Sequence, residues 1–255
     1  MIKNILGYDI NYIDEGVGDI VLLLHGWGAN LNCFTNLISL LKTKYRVLAL
    51  DYPGFGKSSD LKRSFSVDDY ADIVVEFIKS FDINRITLIG HSYGGRIIIK
   101  LNNRDTLPFS IEKNVLIDAA GLKDKKDLKT KFKIKLFKAL KKITYLLPID
   151  NAKKNELEYK LKSKFGSSDY STAPKVLQET LVKSVNEDLK ELVKNMKETL
   201  IIWGKNDTVT PIWMAKYMEK EIKNSGLVLL NGGHFSFIDD EIVFLRVMKS
   251  YFNII

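Results

Sequence analysis

The chain of 255 residues has one cysteine, Cys33, so no disulfide can form within it. That fits a reducing compartment. Histidine is equally scarce: only His25, His91 and His234 are present. No Cys/His cluster has metal-ligand spacing, so no metal is implied. No G-x-G-x-x-G follows an apolar run. The loop containing Gly54, Gly56, Lys57 and Ser58 lacks the spacing of a phosphate-binding loop, so no cofactor is implied either. Long apolar runs are missing too. The stretch Ile20–Leu24 is far too short to span a bilayer. Met1–Tyr12 has neither the apolar core nor the small-residue cleavage site of a secretory signal. The expectation is a soluble, cytoplasmic protein.

Acidic residues are in deficit, and the deficit is local. The net charge is +8, yet residues 121–165 hold fifteen lysines and five acids, a balance of +10 that leaves −2 for the rest. The lysines carry no interleaved aromatic pattern or nucleic-acid motif, so a nucleic-acid partner is not expected.

What the chain does have is a series of short, continuous apolar runs: Ile20–Leu24, Tyr45–Leu50, Ile86–Ile89, Asn114–Ala119, Thr199–Trp203 and Leu227–Leu230. Such runs suit parallel strands buried on both faces. Helical spacing separates them at Cys33–Lys42, from Ser66 to Ile78, from Ser92 to about Asn102, at Trp213–Lys223 and at Asp239–Phe252. Ser66 is placed to cap its helix. Asp9–Glu15 reads as an early antiparallel strand. Alternation of strand and helix predicts an α/β fold with a mostly parallel central sheet and helices on both faces. Residues 121–197 break the alternation with helical periodicity alone. They are read as a cap inserted between core segments 1–120 and 198–255. Phe132, Leu136, Phe137, Leu140 and Ile143 are its candidate apolar pocket face, and lysines occupy the opposite side.

Gly90-His91-Ser92-Tyr93-Gly94 closes one strand and opens a helix. A G-x-S-x-G turn in that context lifts a serine hydroxyl clear of the sheet as a nucleophile; the alternative role is a simple helix cap. A serine nucleophile needs a base and a carboxylate to orient it. His234, between Gly233 and Phe235 after the last strand, is the candidate base, the alternative being an exposed turn histidine. Asp207, after the Thr199–Trp203 strand, is the candidate carboxylate; the alternative is a helix N-terminal acid, and Asp118 competes for the same role. Two backbone N–H groups should face the developing oxyanion. Candidates are Tyr93, which follows the nucleophile, and Trp27 in the His25-Gly26-Trp27-Gly28 loop. His25 and His91 read as structural, with His91 pointing away from the serine.

Taken together, His25–Gly28, Asp51–Gly56, Gly90–Gly95, Trp203–Asp207 and Gly233–Phe235 resemble, in order, the signature blocks of the α/β-hydrolase superfamily. The resemblance covers most of the chain outside 122–197. It implies an α/β-hydrolase fold with a helical cap, a Ser92-His234-Asp207 triad and an oxyanion hole at the Trp27 and Tyr93 amides. A serine at the nucleophile position sets the chain apart from the haloalkane dehalogenase and epoxide hydrolase branches. The default expectation is a carboxylesterase acting on a small-molecule ester. Alternatives are a hydrolase of meta-cleavage products, which breaks a C–C bond, an esterase of acyl-carrier-protein methyl esters, and a ligand sensor without turnover. The lysine-rich cap is read as a solvated surface, as a docking face for an acidic partner such as acyl carrier protein, or as a face for an anionic membrane.

Overall fold

The computed structural model describes residues 1–123 and 173–255, with Asp150, Lys153 and Leu157 between them. Its eight strands are β1 (Ile2–Ile5), β2 (Tyr8–Glu15), β3 (Ile20–Leu24), β4 (Arg46–Leu50), β5 (Arg85–His91), β6 (Ser110–Ile117), β7 (Thr199–Gly204) and β8 (Ser225–Leu230). They form one sheet in the order β1-β2-β4-β3-β5-β6-β7-β8. The pairs β1–β2 and β2–β4 are antiparallel, and every pair from β4–β3 to β7–β8 is parallel.

Alternation along the strands divides the interior in two. Leu22, Leu24, Leu48, Leu50, Leu88, Leu116, Ile201 and Trp203 point to one face; Val21, Leu23, Val47, Ala49, Ile89, Val115, Ile117 and Ile202 point to the other. Successive strand side chains take opposite faces, so a run with no polar residue must be covered twice. The first face packs α2 (Val67–Lys79), α3 (Tyr93–Asn102) and α5 (Trp213–Glu221), and the second packs α1 (Thr35–Leu41) and α7 (Glu241–Tyr251). Each fully buried Leu or Ile contributes about 1.5–3 kcal/mol of transfer free energy.

The helix starts follow local chemistry. Ser66 caps α2 in a reciprocal box: its hydroxyl accepts the Asp69 N–H at 3.1 Å, and the Asp69 carboxylate accepts the Ser66 N–H at 2.6 Å. The C-terminal segment divides into a single turn, α6 (Ser236–Asp239), and α7, where the spacing suggests one helix. Two stretches differ more from expectation. Strand β1 has no apolar run to announce it: only Ile5 is buried, and the Leu6-Gly7 turn, with φ of 50° and 82°, folds it onto β2. Strand β6 begins at Ser110, four residues before its apolar part, because its first half is an amphipathic ribbon beside β5.

Within the proposed cap interval, α4 (Lys175–Asn186) and a 3₁₀ turn (Lys190–Asn195) are described. Helix α4 packs on the core: the Thr180 hydroxyl accepts the Phe65 N–H at 2.9 Å, and Ser184 Oγ lies 2.9 Å from the Tyr93 hydroxyl. Phe132, Leu136, Phe137, Leu140 and Ile143 lie outside the described residues. No described helix is long and apolar enough to cross a membrane.

Candidate active site

The parallel strands end along one edge, and the polar residues converge there. Strand β5 runs into Ser92, whose backbone sits at φ 47°, ψ −105°. A non-glycine residue in that region is strained by about 1–3 kcal/mol and persists only where its surroundings over-determine it. They do so here. The Ser92 N–H donates to the Ile117 carbonyl at 3.0 Å, and the Ser92 carbonyl accepts from Gly95 at 3.0 Å and Ala120 at 2.9 Å. Glycine is required beside it for space: a Cβ on Gly94 would lie 2.1 Å from the Leu24 carbonyl oxygen. The turn therefore seats α3 directly against β3 and aims the hydroxyl at the strand edge.

His234 reaches that hydroxyl. Its Nε2 is 2.9 Å from Ser92 Oγ, and its Nδ1 is 2.9 Å from Asp207 Oδ2. Asp207 also accepts from the Val209 and Thr210 amides and from the Thr210 hydroxyl, the last at 2.6 Å. Burial raises the Asp207 carboxyl, but the hydrogen bonds from His234 and Thr210 outweigh it and hold the group below its ordinary value. An ionised Asp207 accepts the Nδ1–H and leaves the Nε2 lone pair facing the serine hydroxyl. This arrangement can remove the Ser92 proton as the oxygen attacks a carbonyl.

Of the two candidate carboxylates, Asp207 is the one that contacts the histidine. Asp118 turns instead to the Gly204 N–H, the Ser236 N–H and the Ser236 hydroxyl, at 2.8, 3.0 and 2.7 Å. Burial, opposed by those bonds and reinforced by the Asp207 charge, pushes its carboxyl up to about 7. Thr210, not singled out from the sequence, bridges the set: its hydroxyl lies 3.2 Å from His234 Nδ1 and 3.1 Å from the Asp118 carbonyl. Its position three residues after Asp207 was the available signal.

The other two histidines serve the loops. His25 is buried, its Nδ1–H meets the Gly26 carbonyl at 2.7 Å, and its Nε2 accepts the Tyr52 N–H at 3.2 Å. Burial lowers it to about 4, so it is neutral at pH 7. His91 donates from Nε2 to the His234 carbonyl at 2.8 Å, and burial lowers it to about 3. It turns from the serine hydroxyl toward the His234 backbone, so it supports the turn that carries His234.

Gly26 abuts the elbow: a Cβ there would be 3.3 Å from the Ser92 Cβ. The next peptide belongs to Trp27, whose ring meets the Tyr93 ring edge-on at 5.3 Å. Neither the Trp27 nor the Tyr93 N–H donates to another group among the described residues. Amides without a partner among the described residues, on the residue after Ser92 and on the loop whose Gly26 abuts the elbow, suit a developing oxyanion. Among the described residues, no group of three or more His, Cys, Asp or Glu is gathered to hold a metal ion.

Comparison with known proteins agrees with this architecture. A family model described as "Alpha/beta hydrolase family" matches residues 21–246. An esterase from Exiguobacterium antarcticum has a similar structure, with a TM-score of 0.73 and 26% identity, covering 99% of this chain and 98% of that one. In sequence, a 2-hydroxy-6-oxononadienedioate/2-hydroxy-6-oxononatrienedioate hydrolase from Escherichia coli is 29% identical over 88% of this chain and 79% of its own. A 2-hydroxy-6-oxo-2,4-heptadienoate hydrolase from Pseudomonas putida is 24% identical over 96% of this chain and 93% of its own.

Proposed function

The chain belongs to the alpha/beta hydrolase family, and from that premise we propose that it is a serine hydrolase cleaving a carboxylic ester through an acyl-enzyme. The observation that carries the reading is the continuous hydrogen-bonded line from Asp207 Oδ2 through the His234 ring to Ser92 Oγ, with 2.9 Å at each contact. In the first step His234 Nε2 takes the Ser92 proton while Oγ bonds to the ester carbonyl carbon. The Trp27 and Tyr93 amides hold the oxyanion. His234 then passes the proton to the leaving alcohol as the C–O bond breaks. Water, deprotonated by the same nitrogen, attacks the acyl-enzyme and restores Ser92.

We assign residues 121–197 as the cap over this edge. The packing of α4 against Phe65 and Tyr93 supports that reading, since it sets the far end of the segment beside the nucleophile helix.

A second reading has its own support. The Escherichia coli and Pseudomonas putida relatives are named as hydrolases of 2-hydroxy-6-oxo acids. On that reading the bond broken would be C–C instead of C–O.

Hydrolysis of p-nitrophenyl esters from acetate to palmitate, compared between wild type and Ser92→Ala, tests the first reading. Sustained turnover that disappears in Ser92→Ala is expected, with an optimum that sizes the acyl pocket. Labelling of Ser92 by a fluorophosphonate without ester turnover would favour the C–C reading. Absence of both labelling and turnover would refute the triad.

A further inference from the structure

The reaction needs His234 in line between two partners that come from different strands. Asp207 follows β7 and His234 follows β8, and the two turns share a backbone hydrogen bond, from the Asn206 N–H to the Gly232 carbonyl at 2.9 Å. Misplacement of a catalytic group by about 1 Å can lower a rate about 100-fold. A side chain that the mechanism does not use joins the two turns a second time.

Asp118 follows β6, between the two turns and the elbow. It is fully buried and its own φ is 45°, a second strained non-glycine position on this edge. One carboxylate oxygen accepts the N–H of Gly204, the last residue of β7 and three before Asp207. The other accepts both the N–H and the hydroxyl of Ser236, two residues after His234. The turns meet there without side chains between them, since a Cβ on Gly204 would lie 2.1 Å from the Gly233 carbonyl oxygen. We propose that Asp118 is a positioning residue whose carboxylate clasps the Asp207 turn to the His234 turn and so keeps the imidazole aligned on Ser92. This rests on the serine hydrolase reading for its consequence in rate, though not for the clasp itself.

Only the ionised carboxylate can accept from all three donors at full strength. A protonated carboxyl turns one oxygen into a donor, and the Ser236 side of the clasp weakens. The ionisable groups on the elements around it are His91 from β5, Asp207 after β7, and His234 with Asp239 after β8. Asp207 acts on it through charge and, with burial, sets its protonation near neutrality. The clasp should therefore loosen as pH falls through about 7.

Asp118→Asn keeps the shape and removes the charge, and Ser236→Ala removes one of the three bonds. With a p-nitrophenyl ester, Asp118→Asn is expected to lower kcat about 10–100-fold with KM little changed. The acid limb of its pH profile should lose the step near pH 7 that Asp118 contributes. Amide exchange across residues 233–237 should accelerate. Ser236→Ala should shift kcat and exchange in the same direction and by less, while the acid limb keeps its Asp118 step. A kcat near that of wild type with an unchanged acid limb and unchanged exchange would overturn the clasp. Should wild type neither turn over esters nor label with a fluorophosphonate, the hydrolase reading fails, and amide exchange alone decides the clasp: faster exchange in Asp118→Asn retains it, equal exchange removes it. Should Asp118→Asn not fold, unchanged exchange and activity in Ser236→Ala would count against the clasp.

Discussion

The two ends of the parallel strands both carry ionisable residues, in opposite settings. At the amino ends, charges are exposed and paired loosely: Arg85 with Asp19 at 3.9 Å, Lys113 with Glu198 at 3.1 Å. At the carboxyl ends, His25, His91, Asp118 and Asp207 are buried, and each is held by hydrogen bonds to backbone or to one another. Exposed pairs are worth about 0–1 kcal/mol because water solvates them almost as well as the partner does. A buried group that loses its partner costs about 1–3 kcal/mol, more when charged. One edge of the sheet therefore tolerates change, and the other carries both strain and chemistry.

The contrast is broken most severely at the nucleophile. Ser92→Ala should lower kcat for ester hydrolysis roughly 10⁵–10⁶-fold, measured on the purified variant, with its thermal midpoint close to wild type. Asp207→Asn should follow at about 10³–10⁴-fold, because an amide at that position no longer selects the Nδ1–H tautomer of His234. Third is Gly94→Ala, whose new methyl would meet the Leu24 carbonyl oxygen at 2.1 Å. Chemical denaturation should show a loss of about 1–3 kcal/mol or failure to fold. The smallest effect belongs to the other edge: Arg85→Gln should alter stability by less than about 1 kcal/mol and leave activity unchanged.

A pH series sharpens the comparison further. Asp118 is raised from the ordinary carboxylate range to about 7 in the fold. Between about pH 4 and that value, the folded chain keeps a proton that the unfolded chain has released. The contribution of this group to stability is thus full below about pH 4 and is lost as pH rises through about 7. Asp207, held below its ordinary value, works in the opposite sense: its contribution is present above the unfolded carboxylate pKa and is lost as pH falls through the folded one. Asp118→Asn should flatten the decline between about pH 4 and 7 in denaturation midpoints, while Arg85→Gln should leave it as it is.

The core strands and the elbow were legible because their signals are local. Ile20–Leu24 is apolar at every position, and the strand has the same bounds. The elbow needs only five consecutive residues and a strand before them. Strand β1 was not legible: its residues are half exposed and its pairing depends on a turn. The sequence favours Asp207 as the carboxylate, with Asp118 as its competitor. Both follow strands, and only the distances separate their tasks. Asp118 bonds to groups 86 and 118 residues away, and His91 to one 143 residues away. No periodicity or motif encodes separations of that length. The five candidate pocket positions from Phe132 to Ile143 fall outside the described residues, so the acyl pocket stands on sequence pattern alone.

We propose that Ser92 forms and releases an acyl intermediate under the control of His234. Its most direct test is rapid acid quenching during p-nitrophenyl acetate turnover, followed by peptide mass spectrometry. An acetyl group is expected on the Ser92 peptide in wild type, disappearing once substrate is consumed, and none in His234→Ala. Steady turnover with Ser92 unmodified, or undiminished turnover in Ser92→Ala, would contradict it.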